Sequence, residues 1–132
     1  MNEEEFGTAS DYLRAFEVIW AEGVPPHHLK LLRAHLAAPD YATTWESLAQ
    51  VVGYPNGSTV HLHYGKFAER IARQRGLSEK PLDPGGTAWW LWVLVRWADE
   101  RDPESGHTVF VLRRPAVEAL QQLGTDPAPM AE

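Results

Sequence analysis

Between Thr43 and Gly76 the helix start and stop signals lie so close together that two helices are predicted to meet across a tight turn. Thr43 followed three residues later by Glu46 matches a capping box. Trp45, Leu48, Ala49 and Val52 then make one apolar stripe, which Gly53 ends. Tyr54 to Gly57 has the composition of a turn. Ser58 is placed to cap a longer helix over 58–76, in which Val60, Tyr64, Phe67, Ala68, Ile71 and Ala72 recur at helical spacing until Gly76 closes it.

The flanking segments supply three more helices and a hairpin. Ser10 is the expected cap of a first helix that carries Leu13, Phe16, Val18 and Trp20 and ends at Gly23, before Pro25 and Pro26. A second helix places Leu29, Leu32 and Leu36 on one side until Pro39 stops it, with Lys30 and Arg33 facing solvent. The apolar run Trp89 to Val95 predicts a strand and Val109 to Leu112 a second, joined through the polar stretch Asp99 to Gly106 into a hairpin over 89–112. Pro115 suits the first turn of a last helix, which ends at Gly124.

Helices followed by a hairpin in this order predict an α+β, mostly helical fold: a winged helix-turn-helix domain over 10–124, with a hairpin wing and extra N- and C-terminal helices. Residues 1–9 are expected to be an acidic flexible segment and 125–132 a disordered tail. In that architecture the longer helix enters the DNA major groove with its leading end foremost. Asn56, Ser58, Thr59, His61 and His63 are then the expected base contacts. Lys66, Arg70, Arg73 and Arg75 along the helix, with Arg113 and Arg114 at the hairpin base, are the expected phosphate contacts. Each also has an ordinary structural role, since Asn56-Gly57 makes a turn, Ser58 and Thr59 cap, and a basic helix face is commonly just solvated.

Composition narrows the alternatives. The net charge of −6 hides an uneven distribution: residues 1–22 carry −5, whereas residues 23–82 carry +3 and hold five of the six histidines. Without cysteine there are no disulfides, thiolate metal sites or thiol nucleophiles, and a cytoplasmic setting is expected. The acidic opening and the short apolar runs predict neither a signal peptide nor a membrane span. A catalytic role is not expected, because no glycine-rich phosphate loop, nucleophile elbow or carboxylate dyad is present. No cofactor or metal is expected either, since His61 and His63 point to different faces of one helix and neither has a ligand at i+3 or i+4.

Trp89, Trp90, Trp92 and Trp97 crowd into or beside the first hairpin strand. Read at period two, both strand faces are apolar, so each needs a cover: a helix, a second copy of the chain, or a stacked base. An interaction module that dimerises through this aromatic strand is therefore the main rival to DNA binding, and an acidic DNA mimic is a third reading.

Four runs carry a family resemblance: Leu31-Leu32-Arg33-Ala34-His35, Leu48 to Tyr54, His61 to Ala68, and Val111-Leu112-Arg113-Arg114-Pro115. Over residues 26–124 the chain resembles a bacterial winged-helix DNA-reading module found alone or fused to HNH nucleases in modification-dependent restriction proteins. That resemblance implies binding of double-stranded DNA in a restriction or regulatory context, with modified cytosine as the base read. The family's asparagine-bearing N-x-x-Y-G run corresponds here to Leu62-His63-Tyr64-Gly65, and its LRP run to Leu112-Arg113-Arg114-Pro115. The HNH nuclease residues are absent from this sequence, so any cleavage would come from a partner nuclease or from a domain outside it.

Overall fold

The computed structural model describes residues 3–125. Five α-helices and a small antiparallel sheet make an α+β fold: α1 (Ala9–Glu22), α2 (Pro26–Ala37), β1 (Ala42–Thr43), α3 (Trp45–Val52), α4 (Gly57–Gln74), β2 (Val95–Trp97), β3 (Phe110–Leu112) and α5 (Arg114–Leu123). Strand order in the sheet is β1-β3-β2, with Ala42 opposite Val111 and Arg96 opposite Val111 on the other side. The helices lie where periodicity predicts, but their caps sit one or two residues away. Thr8 rather than Ser10 caps α1, in a reciprocal box with Asp11. Thr44 rather than Thr43 caps α3, and Asn56 rather than Ser58 caps α4. In each case the chain offers two capping side chains one or two residues apart, and the one whose oxygen reaches the third amide of the helix wins.

The joint between α3 and α4 is as tight as the sequence demands. Gly53 closes α3 in the left-handed region at φ 85°. Gly57 is needed for closeness rather than for φ: a Cβ there would fall 2.5 Å from Glu46 Oε1 and 3.1 Å from Trp45 Cβ. Trp45, Tyr64 and Phe110 meet behind this joint, with the Trp45 and Phe110 rings stacked at 4.0 Å. Beside them lies fully buried His35, whose two nitrogens sit 3.0 Å from the Tyr64 hydroxyl and 3.0 Å from the Phe110 carbonyl. A carbonyl can only accept, so Nε2 carries the proton and Nδ1 accepts from Tyr64. Burial holds this imidazole neutral, lowering its pKa to about 4.

The aromatic run departs from the expected strand. Trp90–Val93 forms a 3₁₀ turn, and only Val95–Trp97 pairs as a strand. Leu91, Trp92, Val93, Leu94 and Val95 are all buried, a run sealed on every side, so there are no alternating faces for a sheet to present. Two of its carbonyls are met by side chains: the Tyr12 hydroxyl donates to Val93 O at 2.6 Å, and Arg113 Nε to Trp92 O at 2.6 Å. β1 was not expected, because two residues carry no readable period; it extends the hairpin to three strands.

The amino-terminal segment is tied down rather than loose. Glu3 accepts from the Arg114 amide and from Arg96, and Phe6 packs under the Arg113 guanidinium at 4.8 Å. Burial pushes the Glu3 carboxyl up, but these donors outweigh it and hold its pKa below the usual range. At the other end Thr125 O accepts from Arg33, and the rest of the expected tail, 126–132, lies outside the described residues. Among the described residues no helix is long and apolar enough to cross a membrane.

Candidate nucleic-acid interface

Helix α4 buries Val60, Tyr64, Phe67, Ala68, Ile71 and Ala72 and leaves a ridge of Ser58, Leu62, Lys66, Glu69 and Arg73 at spacings of three and four. Leu62 is 56% exposed, unusual for so large an apolar side chain on a ridge otherwise polar. Depressions flank the ridge. One, of about 230 Å³, lies toward the aromatic segment and is lined by His61, Leu62, Lys66, Lys80, Trp89 and Trp90. The other, of about 500 Å³, lies toward the α1–α2 turn and includes Gly23, His28, Lys66 and Arg70.

At the leading end of α4, Asn56 spends its side-chain oxygen on the Thr59 amide at 3.1 Å, while Ser58 is exposed and Thr59 partly so. His61 is half-buried, its ring edge-on to Trp89 with centroids 4.5 Å apart, and burial lowers its pKa, helped by Lys80. His63 turns the opposite way, into the rings of His27 at 4.8 Å and Tyr54 at 5.5 Å. It is therefore packed against α2 rather than presented with Ser58, which removes it from the expected base contacts.

The expected phosphate contacts divide more sharply. Lys66 is exposed, with no ion-pair partner among the described residues. Arg73 is exposed too, although it pairs with Glu69 at 3.0 Å and lies over the Trp90 ring at 5.2 Å. Arg70 instead donates to Gly23 O at 2.9 Å and pairs with Glu22 at 3.3 Å, tethering α4 to the end of α1. Arg75 donates to Phe6 O at 3.0 Å and faces Asp11 at 3.5 Å, so the trailing end of α4 is neutralised by the amino-terminal segment. Arg113 is fully buried. Burial lowers its pKa, with the charges of Tyr12, Glu5 and Glu3 opposing that shift. Of the hairpin pair only Arg114 keeps an exposed guanidinium.

Of the four tryptophans in or beside the expected strand, one is consumed within the chain. Trp92 is 1% exposed, stacked on Trp89 at 4.8 Å and edge-on to Trp97 at 5.2 Å, so it offers no interface. Trp89, Trp90 and Trp97 keep partial exposure. The hairpin tip carries Asp99, Glu100, Asp102 and Glu104 against Arg101 and His107, and His107 Nδ1 lies 2.7 Å from Glu46 on α3. A tip of that charge is repelled by a phosphate backbone.

Sequence reasoning missed one cluster. His27 and His28 open α2, and the fold brings His63 to them, with one nitrogen from each of the three within 4.8 Å of the others. Burial lowers the pKa of His28 to about 4, and that of His27 falls too, each helped by its histidine neighbours and Lys66. The available signal was the unabsorbed His27-His28 pair; spacing along α4 alone conceals the match because the partners come from another helix. Comparison with family models, with curated proteins and with solved structures finds no match.

Proposed function

We propose that the chain is a non-catalytic DNA-binding domain of the winged-helix kind, which sets the leading half of α4 in the major groove of duplex DNA. The observation that carries this reading is the path of the chain. A helix, a short strand and two tightly joined helices precede a hairpin, and the first strand pairs with the last, in the order β1-β3-β2. That order suits a fold whose second joined helix lies across the front of the domain with its ridge free. Ser58, Thr59 and His61 are the polar groups placed to meet base edges. Leu62 supplies an apolar contact of the kind that a C5-methyl group in the major groove accepts, which favours thymine or 5-methylcytosine at that step.

Lys66, Arg73 and Lys80 stand near the ridge for phosphate contact, whereas Arg70, Arg75 and Arg113 are occupied. Neutralising two or three phosphates gives a slope of log affinity against log salt of about −2 to −3, shallow for a DNA-binding domain. Mobility shift of the full chain on plain and cytosine-methylated duplexes across a salt series tests this. The expected result is a complex that weakens with that slope, is disrupted by Lys66→Glu and prefers the methylated duplex. No complex at low salt, or one indifferent to Lys66→Glu and Lys80→Glu, overturns the reading.

A further inference from the structure

The three histidines at the head of α2 form a site that DNA contact does not use. Three imidazoles converge with one nitrogen each inside a span of 4.8 Å. Two of them hold buried nitrogens with nothing to bond: Nδ1 of His28, in a side chain only 6% exposed, and Nδ1 of His63 are both sealed from solvent without a hydrogen-bond partner. Buried polar atoms are ordinarily satisfied, so two orphaned nitrogens in one cluster point to a ligand that accepts lone pairs from imidazole.

We propose that His27, His28 and His63 bind a divalent transition-metal ion of the zinc class. An all-imidazole set suits zinc, copper(II), nickel or cobalt and discriminates against magnesium and calcium, which take oxygen ligands. Metal–nitrogen bonds of about 2.0–2.1 Å in tetrahedral geometry set the nitrogens about 3.3 Å apart. The nitrogens must therefore close by up to about 1.5 Å, and exposed His27 has the freedom to turn inward. Three protein ligands leave a fourth position open, and with Lys66 and Arg70 near the cluster that position favours water or a small anion. The ion would clamp the head of α2 to α4 nearly two turns behind its leading end. This inference stands apart from the DNA reading, and its test contains no DNA.

The experiment is a calorimetric titration of the untagged, chelator-stripped full chain with zinc, paired with cobalt(II) absorption spectroscopy. One ion per chain and the visible bands of a low-coordinate cobalt(II) site are expected. His27→Ala, which alters an exposed side chain and spares the fold, and His63→Ala should each weaken zinc binding at least about tenfold. His61→Ala and His107→Ala should leave it unchanged. Absence of stoichiometric binding, binding that survives His27→Ala, or equal loss in His61→Ala overturns the proposal.

Discussion

His61 and His63 stand two residues apart on one helix and end in opposite surroundings. His61 leans on Trp89, on the flank of the buried run whose Val93 and Trp92 carbonyls are tied by Tyr12 and Arg113. His63 enters a flank of other imidazoles, where two ring nitrogens are unsatisfied and the neighbouring depression opens to solvent. The tryptophan flank closes onto the core, whereas the histidine flank holds two imidazole nitrogens without a partner. A count of the helix's histidines cannot tell the two sides apart.

The largest test of that contrast is thermodynamic. Trp92→Ala should cost about 3–5 kcal/mol of unfolding free energy, because it empties a fully buried site, while His63→Ala should cost less than about 1 kcal/mol. Urea unfolding of both variants measures the difference; equal losses would erase the distinction between the flanks. Acid comes next. His28 and His35 have folded pKa values of about 4, below the ordinary 6.5, so the unfolded chain takes up protons that the native one refuses. Stability is full above about pH 6.5 and falls as pH drops toward 4, by about 2 kcal/mol per imidazole at about pH 5. Urea midpoints that stay flat from neutrality to pH 5 would show that these rings are not held neutral.

Smaller effects separate the cations. Arg75→Ala should lower stability by about 1 kcal/mol, through loss of its bond to Phe6 and its contact with Asp11, and leave duplex affinity unchanged. Lys66→Ala should do the reverse, reducing affinity for all duplexes and flattening the salt slope by about 1. Last, Leu62→Ala should narrow the preference for methylated over plain duplex by roughly 1 kcal/mol or less in a competition assay, with total affinity little changed. An undiminished preference would move methyl recognition off the ridge.

Much of the fold was legible because its signals are local. Gly53, Gly57 and Gly124 punctuate helices whose apolar residues recur at helical spacing, and such patterns fix elements whatever surrounds them. The aromatic run misled because complete burial removes alternation, and a 3₁₀ turn and a core strand then look alike in sequence. In the candidate site, exposure was legible only where it follows from helical phase, as for Ser58, Lys66 and Arg73. Arg70 lies along α4, Arg75 at its end and Arg113 at the hairpin base, yet each is claimed by a carbonyl far away in the chain. The histidine cluster was hidden for the same reason: residues 27 and 63 become neighbours only when two helices dock.

The ring of His35 rivets three segments that lie far apart along the chain. Its Nε2–H is committed to a strand carbonyl and its Nδ1 lone pair to a phenol, which leaves no spare proton site for releasing one partner while keeping the other. Strand β3, helix α2 and the middle of α4 are therefore pinned in one register by a single neutral ring.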